Sequence, residues 1–138
     1  MAGTKTLIVD DDAWLRRCVR DLLVSAPEVQ IIGEAASGPE ALDMVRELHP
    51  DLVLMDVRMP GSNGLKTTAQ LKREMPQIQV IILTSYDLPE YRAAAQASGA
   101  SGFVVKHTLP DTLLPAIRDV CINQPEIFNS ELHSRDSR

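Results

Sequence analysis

The chain has 138 residues, 44% of them hydrophobic, which is enough for one domain with a substantial core and too short for two ordinary ones. Its formal charge of -5 disfavours a surface that binds nucleic acid by neutralising phosphates. No apolar run approaches the ~20 residues of a membrane span, and MAGTKT leads straight into a strand-like segment without a signal-peptide pattern, so the expected location is cytoplasmic with no membrane contact.

In chain order, the first apolar run, TLIVD (6–10), is strand-sized and ends in three consecutive carboxylates, Asp10, Asp11 and Asp12. A helix follows, with Leu15, Cys18, Val19, Leu22 and Leu23 at i, i+3, i+4, i+7 and i+8, and Asp12 placed to cap it. The second run, VQIIGEA (29–35), ends in Glu34-Ala35-Ala36, without chemistry of note, as an edge strand would. Ser37 and Glu40 then form a capping-box pattern ahead of a helix with Ala41, Met44, Val45 and Leu48 on one face, stopped at His49-Pro50. The third run, DLVLMD (51–56), precedes a helix over 64–75 that ends before Pro76. The fourth, VIILT (80–84), precedes a helix from about Pro89 expected to pack through Ala93, Ala94 and Ala97 and to end at Gly99. The fifth, GFVVK (102–106), leads to a last helix after Pro110. Pro115 falls inside that helix, removes a backbone hydrogen bond and crowds the Asp111 carbonyl, so the helix is expected to start late or bend.

Residues 124–138 lose periodicity and hydrophobic density and read as a linker or tail. Cys18 and Cys121 lie on apolar stripes and read as packed thiols rather than as disulfide partners or metal ligands. Strands that are apolar throughout and alternate strictly with helices indicate an α/β fold, a parallel sheet covered on both faces.

In such sheets ligands bind beyond the carboxyl ends of the strands. Gathered there are Asp10, Asp11, Asp12, Asp56, Thr84, Ser85 and Lys106. Taken singly, Lys106 reads as a solvated strand-end lysine and Thr84 as a strand-favouring β-branched residue. As a set, carboxylates, a hydroxyl and a lysine make a cation site beside a phosphate site. Clustered carboxylates repel and raise one another's pKa unless a cation or solvent offsets them.

The motifs LIVDDD, DLVLMDVRMPGSNGL, VIILTSYD and GASGFVVK, in this order and spacing, resemble the receiver domain of two-component response regulators over about residues 5–122. ILTSYD, GASGFVVK and AIRDVC look most like the NarL/FixJ type, the LuxR family. The resemblance implies a flavodoxin-like (CheY-like) doubly wound five-stranded parallel sheet of strand order 2-1-3-4-5, with the receiver at 1–123. It implies that Asp56 accepts a phosphoryl group from a phosphohistidine on a sensor histidine kinase. Asp10 and Asp11, with Asp56 and the backbone carbonyl of Arg58, would hold Mg²⁺ or Mn²⁺. Asp12 reads as the helix cap instead.

By the same resemblance Lys106 and Thr84 would contact the phosphoryl oxygens, and Phe103 would turn inward on activation. Arg58 and Tyr86, two residues after Asp56 and Thr84, would govern how long the modification lasts. A homodimer on phosphorylation is usual in the family through the last helix, an interface that Pro115 calls into question here. Intact relatives carry a helix-turn-helix DNA-binding domain after a linker, absent from this chain, which is expected to be either the excised receiver with its linker or a single-domain regulator, with DNA contact only through such an output domain. His107 stands where many receivers have proline, and the isomer of the Lys106-His107 peptide is left open. Two competing functions are a haloacid-dehalogenase-like phosphatase, whose second acid would fall at the position of Arg58, and a pseudo-receiver that only binds a protein partner.

Overall fold

The computed structural model describes residues 3–123, so the tail expected at 124–138 lies outside the described residues. In chain order the elements are β1 (Thr4–Val9), α1 (Ala13–Leu23), β2 (Val29–Ala35), α2 (Gly38–Leu48), β3 (Leu52–Asp56), the two-residue strands β4 (Arg58–Met59) and β5 (Ser62–Asn63), α3 (Gly64–Glu74), β6 (Gln79–Thr84), α4 (Pro89–Ala97), β7 (Gly102–Val105) and α5 (Leu109–Ile117). The main sheet is parallel throughout, in the order β2-β1-β3-β6-β7. Numbering only its own five strands, that is the expected 2-1-3-4-5.

The central strands are apolar on both faces because both faces are covered. Leu7, Val9, Val53, Met55, Val80 and Ile82 pack with Ala41 and Val45 of α2 and Leu71 of α3 on one side. Ile8, Leu52, Leu54, Ile81 and Leu83 pack with Val19 and Leu23 of α1 and Leu113 and Ile117 of α5 on the other. Alternate residues of each strand thus go to opposite layers, as the pleat requires. The core lies directly beneath the carboxyl ends that carry the acids.

The helix ends follow their caps. Asp12 Oδ1 accepts the N–H groups of Trp14 (2.9 Å) and Leu15 (3.4 Å), and Ser37 Oγ accepts that of Glu40 (3.2 Å). The Glu40 carboxylate reaches back to the N–H of Ala36, one residue before the cap. His49 closes α2 in the left-handed conformation, with φ 49°, and Pro50 forbids continuation.

The structure departs from the sequence reading, or adds to it, at three points. The α4 packing side runs through Tyr91, Ala94, Ala95 and Ser98, with Ala95 alone buried, Ala94 half-buried as expected, and both Ala93 and Ala97 exposed. In RAAAQA, small apolar residues occupy adjacent positions, so composition does not mark a face. The last helix does not start late: it begins at Leu109, with Pro110 in the first turn, where its missing N–H has no intrahelical partner to lose. It runs through Pro115 and then widens into a π-type turn at Arg118–Asn123. Finally, β4 and β5 form a small antiparallel hairpin that the hydrophobic pattern does not announce. No peptide among the described residues is cis, so Lys106-His107 is trans.

Candidate functional site

Asp56, the last residue of β3, is 5% exposed and sits at the centre of the strand ends. Asp10 follows β1 immediately and is 2% exposed, while Asp11 beside it is exposed. One carboxylate oxygen from each of Asp10, Asp11 and Asp56 lies within 4.8 Å of the others, as the sequence led us to expect of the two acidic runs.

Lys106 closes the group from the end of β7. Its Nζ is 2.9 Å from Asp10 Oδ2 and 2.9 Å from Asp56 Oδ1. Burial alone would lower the lysine pKa, but its hydrogen bonds to Asp10 and Asp56 outweigh that and raise it. The lysine is therefore a fixed positive charge. Asp56 is pushed up from 3.8 to about 6, chiefly by burial and further by the charges of Asp10 and Asp11, with Lys106 opposing. A single ammonium does not offset three carboxylates, so the site favours one more cation.

Asp10 is held from all sides. Its Oδ1 accepts the N–H of Asp12 (2.9 Å), its N–H donates to the Ala35 carbonyl (3.0 Å), and its own carbonyl accepts from Arg16 Nη1. Arg16 and Arg20, one turn apart on α1, both bind the Glu34 carboxylate at the end of β2, at 2.9 and 2.6 Å. The hydrogen bond from Arg20, with that from Arg16, holds the Glu34 pKa below the usual carboxylate range. Glu34 thus clamps the arginine that braces Asp10, a role that its sequence neighbourhood does not suggest. The i, i+4 arginine pair on α1 was the available signal.

Gly64 is the other residue that sequence reasoning passed over. The β4–β5 hairpin folds the chain back after Asp56, and Gly64 N–H donates to the Val57 carbonyl at 2.8 Å. A Cβ at Gly64 would lie 1.9 Å from the Asp56 carbonyl oxygen, closer than any side chain permits. Only glycine lets α3 begin against the backbone of the central carboxylate. Its place in the quoted DLVLMDVRMPGSNGL run was the only cue.

Thr84, the last residue of β6 and 2% exposed, lines the same cavity of about 260 Å³ with Asp10, Asp11, Asp12, Asp56, Arg58, Ser85, Tyr86 and Lys106. Its Oγ1 accepts the N–H of Tyr86 at 3.2 Å. Arg58 and Tyr86 meet at the mouth, the guanidinium carbon 5.1 Å from the ring centroid. Phe103 lies away from this cavity, half-buried on β7, with the Arg92 guanidinium 4.6 Å over its ring. A larger cavity of about 540 Å³ opens at the other ends of the strands, around Thr4, Asp51 and Gln79, and holds none of these groups. The thiol of Cys121 beside it is pushed up to about 11, chiefly by burial, as suits a packed thiol.

Three hard carboxylate oxygens in a pocket short of positive charge fit Mg²⁺ or Mn²⁺, which bind through a few carboxylates and otherwise water and phosphate oxygens. The adjacent lysine and threonine hydroxyl present donors to an anion with tetrahedral oxygens.

The model of the response regulator receiver domain matches residues 6–118. The DNA-binding transcriptional activator DevR/DosR of Mycobacterium tuberculosis is 40% identical over 116 residues, which are 84% of this chain and 54% of that protein. A LuxR-family two-component response regulator from Aurantimonas sp. SI85-9A1 superposes with a TM-score of 0.81 at 27% identity, covering 95% of this chain and 99% of that one. The signal receiver domain of NarL from Mycobacterium tuberculosis gives 0.81 at 28% identity, covering 86% and 96%. The chain spans about half the length of the curated relatives it matches.

Proposed function

Because this chain belongs to the response regulator receiver domain family, we propose that it is a phosphoacceptor switch of a two-component system, with Asp56 the residue modified. The observation that carries the reading is the convergence of Lys106 Nζ, at 2.9 Å from both, on the buried carboxylates of Asp10 and Asp56, with Asp11 beside them. The Asp56 carboxylate attacks the phosphorus of a phosphohistidine donated by a sensor histidine kinase. The phosphorus–nitrogen bond breaks, an acyl phosphate forms, and the imidazole leaves. Asp10, Asp11 and Asp56, with the Arg58 backbone carbonyl, would hold Mg²⁺ or Mn²⁺, which when bound neutralises charge on the phosphoryl oxygens.

The chain's own residues do the rest. Lys106 exchanges its bond to Asp56 for the phosphoryl oxygens as a point charge, keeping Asp10 as its counter-ion. The Thr84 hydroxyl has one proton to donate and accepts from Tyr86, so it can bond a phosphoryl oxygen without losing that neighbour. Phe103, lacking a hydroxyl, transmits the change by packing. Arg58 and Tyr86 cover the mouth and slow the entry of water.

Arg58 stands where a haloacid-dehalogenase-like phosphatase needs its second acid, so the geometry supports slow self-hydrolysis rather than turnover. The pseudo-receiver reading is disfavoured because acids, hydroxyl and lysine are all present and converge. The likeness to the DNA-binding transcriptional activator DevR/DosR supports an output in transcription, and a cytoplasmic location with DNA contact only through an output domain completes the proposal. Among the described residues no helix is long and apolar enough to cross a membrane.

The test is mass measurement after incubation with acetyl phosphate and Mg²⁺. Wild type gains one phosphoryl group, stable for minutes or longer, and Asp56→Asn gains none. Equal gain in both would remove Asp56 from its role, and release of phosphate with repeated turnover would favour the phosphatase.

A further inference from the structure

A line of stacked side chains runs from the acidic pocket to α4. Arg58, two residues beyond Asp56, lays its guanidinium over the ring of Tyr86, 5.1 Å from the centroid. That ring in turn stacks on Tyr91 of α4, with centroids 5.7 Å apart and planes inclined by 26°. Tyr86 is 44% exposed and belongs to neither core cluster, so these two ring contacts are what orient it. Offset stacking between aromatic rings and a cation over a ring face are each attractive by a modest amount, and neither needs the phenol hydroxyl.

Tyr91 is half-buried in the first turn of α4 and moves with that helix. The helix it belongs to buries only Ala95 and begins at Pro89, with Leu88 before it providing no side-chain cap. Its first turn is held by Arg92, which pairs with Asp87 at 2.8 Å and lies 4.6 Å over the Phe103 ring. A displacement of α4 therefore moves Tyr91 and Arg92 together.

We propose that Tyr91 is a positioning residue of the phosphorylation site: with Arg58 it holds the Tyr86 ring across the mouth of the pocket, so that the seat of α4 sets how long the phosphoryl group on Asp56 survives. This rests on the receiver reading above. In the hydrolysis that it governs, a water oxygen attacks phosphorus and the bond from phosphorus to the Asp56 oxygen breaks. The carboxylate leaves as an anion, and both water protons depart with inorganic phosphate. Tyr86 touches none of the protein atoms that exchange bonds in this step; its ring occupies the approach. Tyr91 acts one contact further out, through Tyr86.

The experiment loads wild type, Tyr91→Ala, Tyr91→Phe, Tyr86→Ala and the double variant Tyr86→Ala/Tyr91→Ala with acetyl phosphate and Mg²⁺. The donor is then removed and the loss of phosphoryl mass followed. Tyr91→Ala should shorten the lifetime by about threefold, a small change in barrier, and Tyr91→Phe, which keeps the ring, should match wild type. Tyr91→Ala should have no further effect once Tyr86 is alanine, because a residue acting through another is not additive with it. An unchanged lifetime in Tyr91→Ala, a short lifetime in Tyr91→Phe, or full additivity in the double variant would each overturn the inference while leaving Asp56 as the acceptor. Failure of wild type to take up phosphate would bring down the receiver reading and this inference with it.

Discussion

Replacing Asp56 by asparagine should stabilise the metal-free protein at neutral pH, although it removes the carboxylate proposed as acceptor. Asp56 is almost fully buried beside Asp10 and Asp11, and its pKa rises from 3.8 to about 6, with burial the largest cause. A carboxyl group that binds its proton more tightly when folded favours the folded state at low pH. That advantage is full below the unfolded pKa near 4 and is lost as pH rises through about 6. A shift of about two units corresponds to ~3 kcal/mol, and the net gain for Asn is expected at about 1–3 kcal/mol because its amide keeps only part of the bond to Lys106.

Urea unfolding in EDTA at pH 7.5 and at pH 4 measures this directly, with the two slopes compared to confirm that the unfolded states are alike. The variant should unfold at higher urea at pH 7.5, and the difference should shrink toward pH 4. Saturating Mg²⁺ should then narrow the gap from the other side, by stabilising wild type more than the variant, about 2.7 kcal/mol at a hundredfold excess over the dissociation constant if only wild type binds. An Asp56→Asn protein no more stable than wild type at pH 7.5 without metal would refute the reasoning that the charge cluster is strained by burial.

Further outcomes follow from the same geometry. Asp11→Ala should weaken Mg²⁺ binding, followed by the fluorescence of the single tryptophan Trp14, more than Asp12→Ala, whose carboxylate is engaged as the α1 cap; the reverse order would exchange their roles. Asp12→Ala should instead cost about 1 kcal/mol of stability in urea through loss of the cap. Gly64→Ala should lower stability by more than ~2 kcal/mol and slow phosphorylation, since its Cβ would meet the Asp56 carbonyl at 1.9 Å; a variant as stable and reactive as wild type would show that the loop relaxes freely. On phosphorylation, amide chemical shifts should change along residues 84 to 106, through Thr84 and Phe103, and shifts confined to the acidic pocket would exclude the proposed route to α4.

How much of this was written in the chain differs between local and distant relations. Strand positions and helix caps at Asp12 and Ser37 were legible because they depend on periodicity and on residues a few positions apart, whereas the strand order came only through the resemblance carried by the motifs. The convergence of the acids and the lysine was readable in outline: in a parallel α/β sheet the carboxyl ends of all strands point the same way, so acids at 10, 11 and 56 and the lysine at 106 meet once the fold is granted. The packing side of α4 was not legible, since a run of alanines carries no facial contrast and the choice of Ala95 falls to what β7 and its neighbours present. Nor was the Glu34 clamp, which joins residues 14 to 18 positions apart across two elements. The hairpin that seats Gly64 on the Asp56 backbone rests on a few main-chain bonds without a hydrophobic signature. Sequence alone thus determined the alternation of elements, the parallel sheet and the gathering of polar groups at the strand ends, through short-range patterning and the fixed polarity of the sheet, with the strand order implied by the family resemblance. The brace behind Asp10 and the stack from Arg58 to Tyr91 were decided only by the tertiary structure, because each is a contact between side chains whose meeting depends on how whole elements pack.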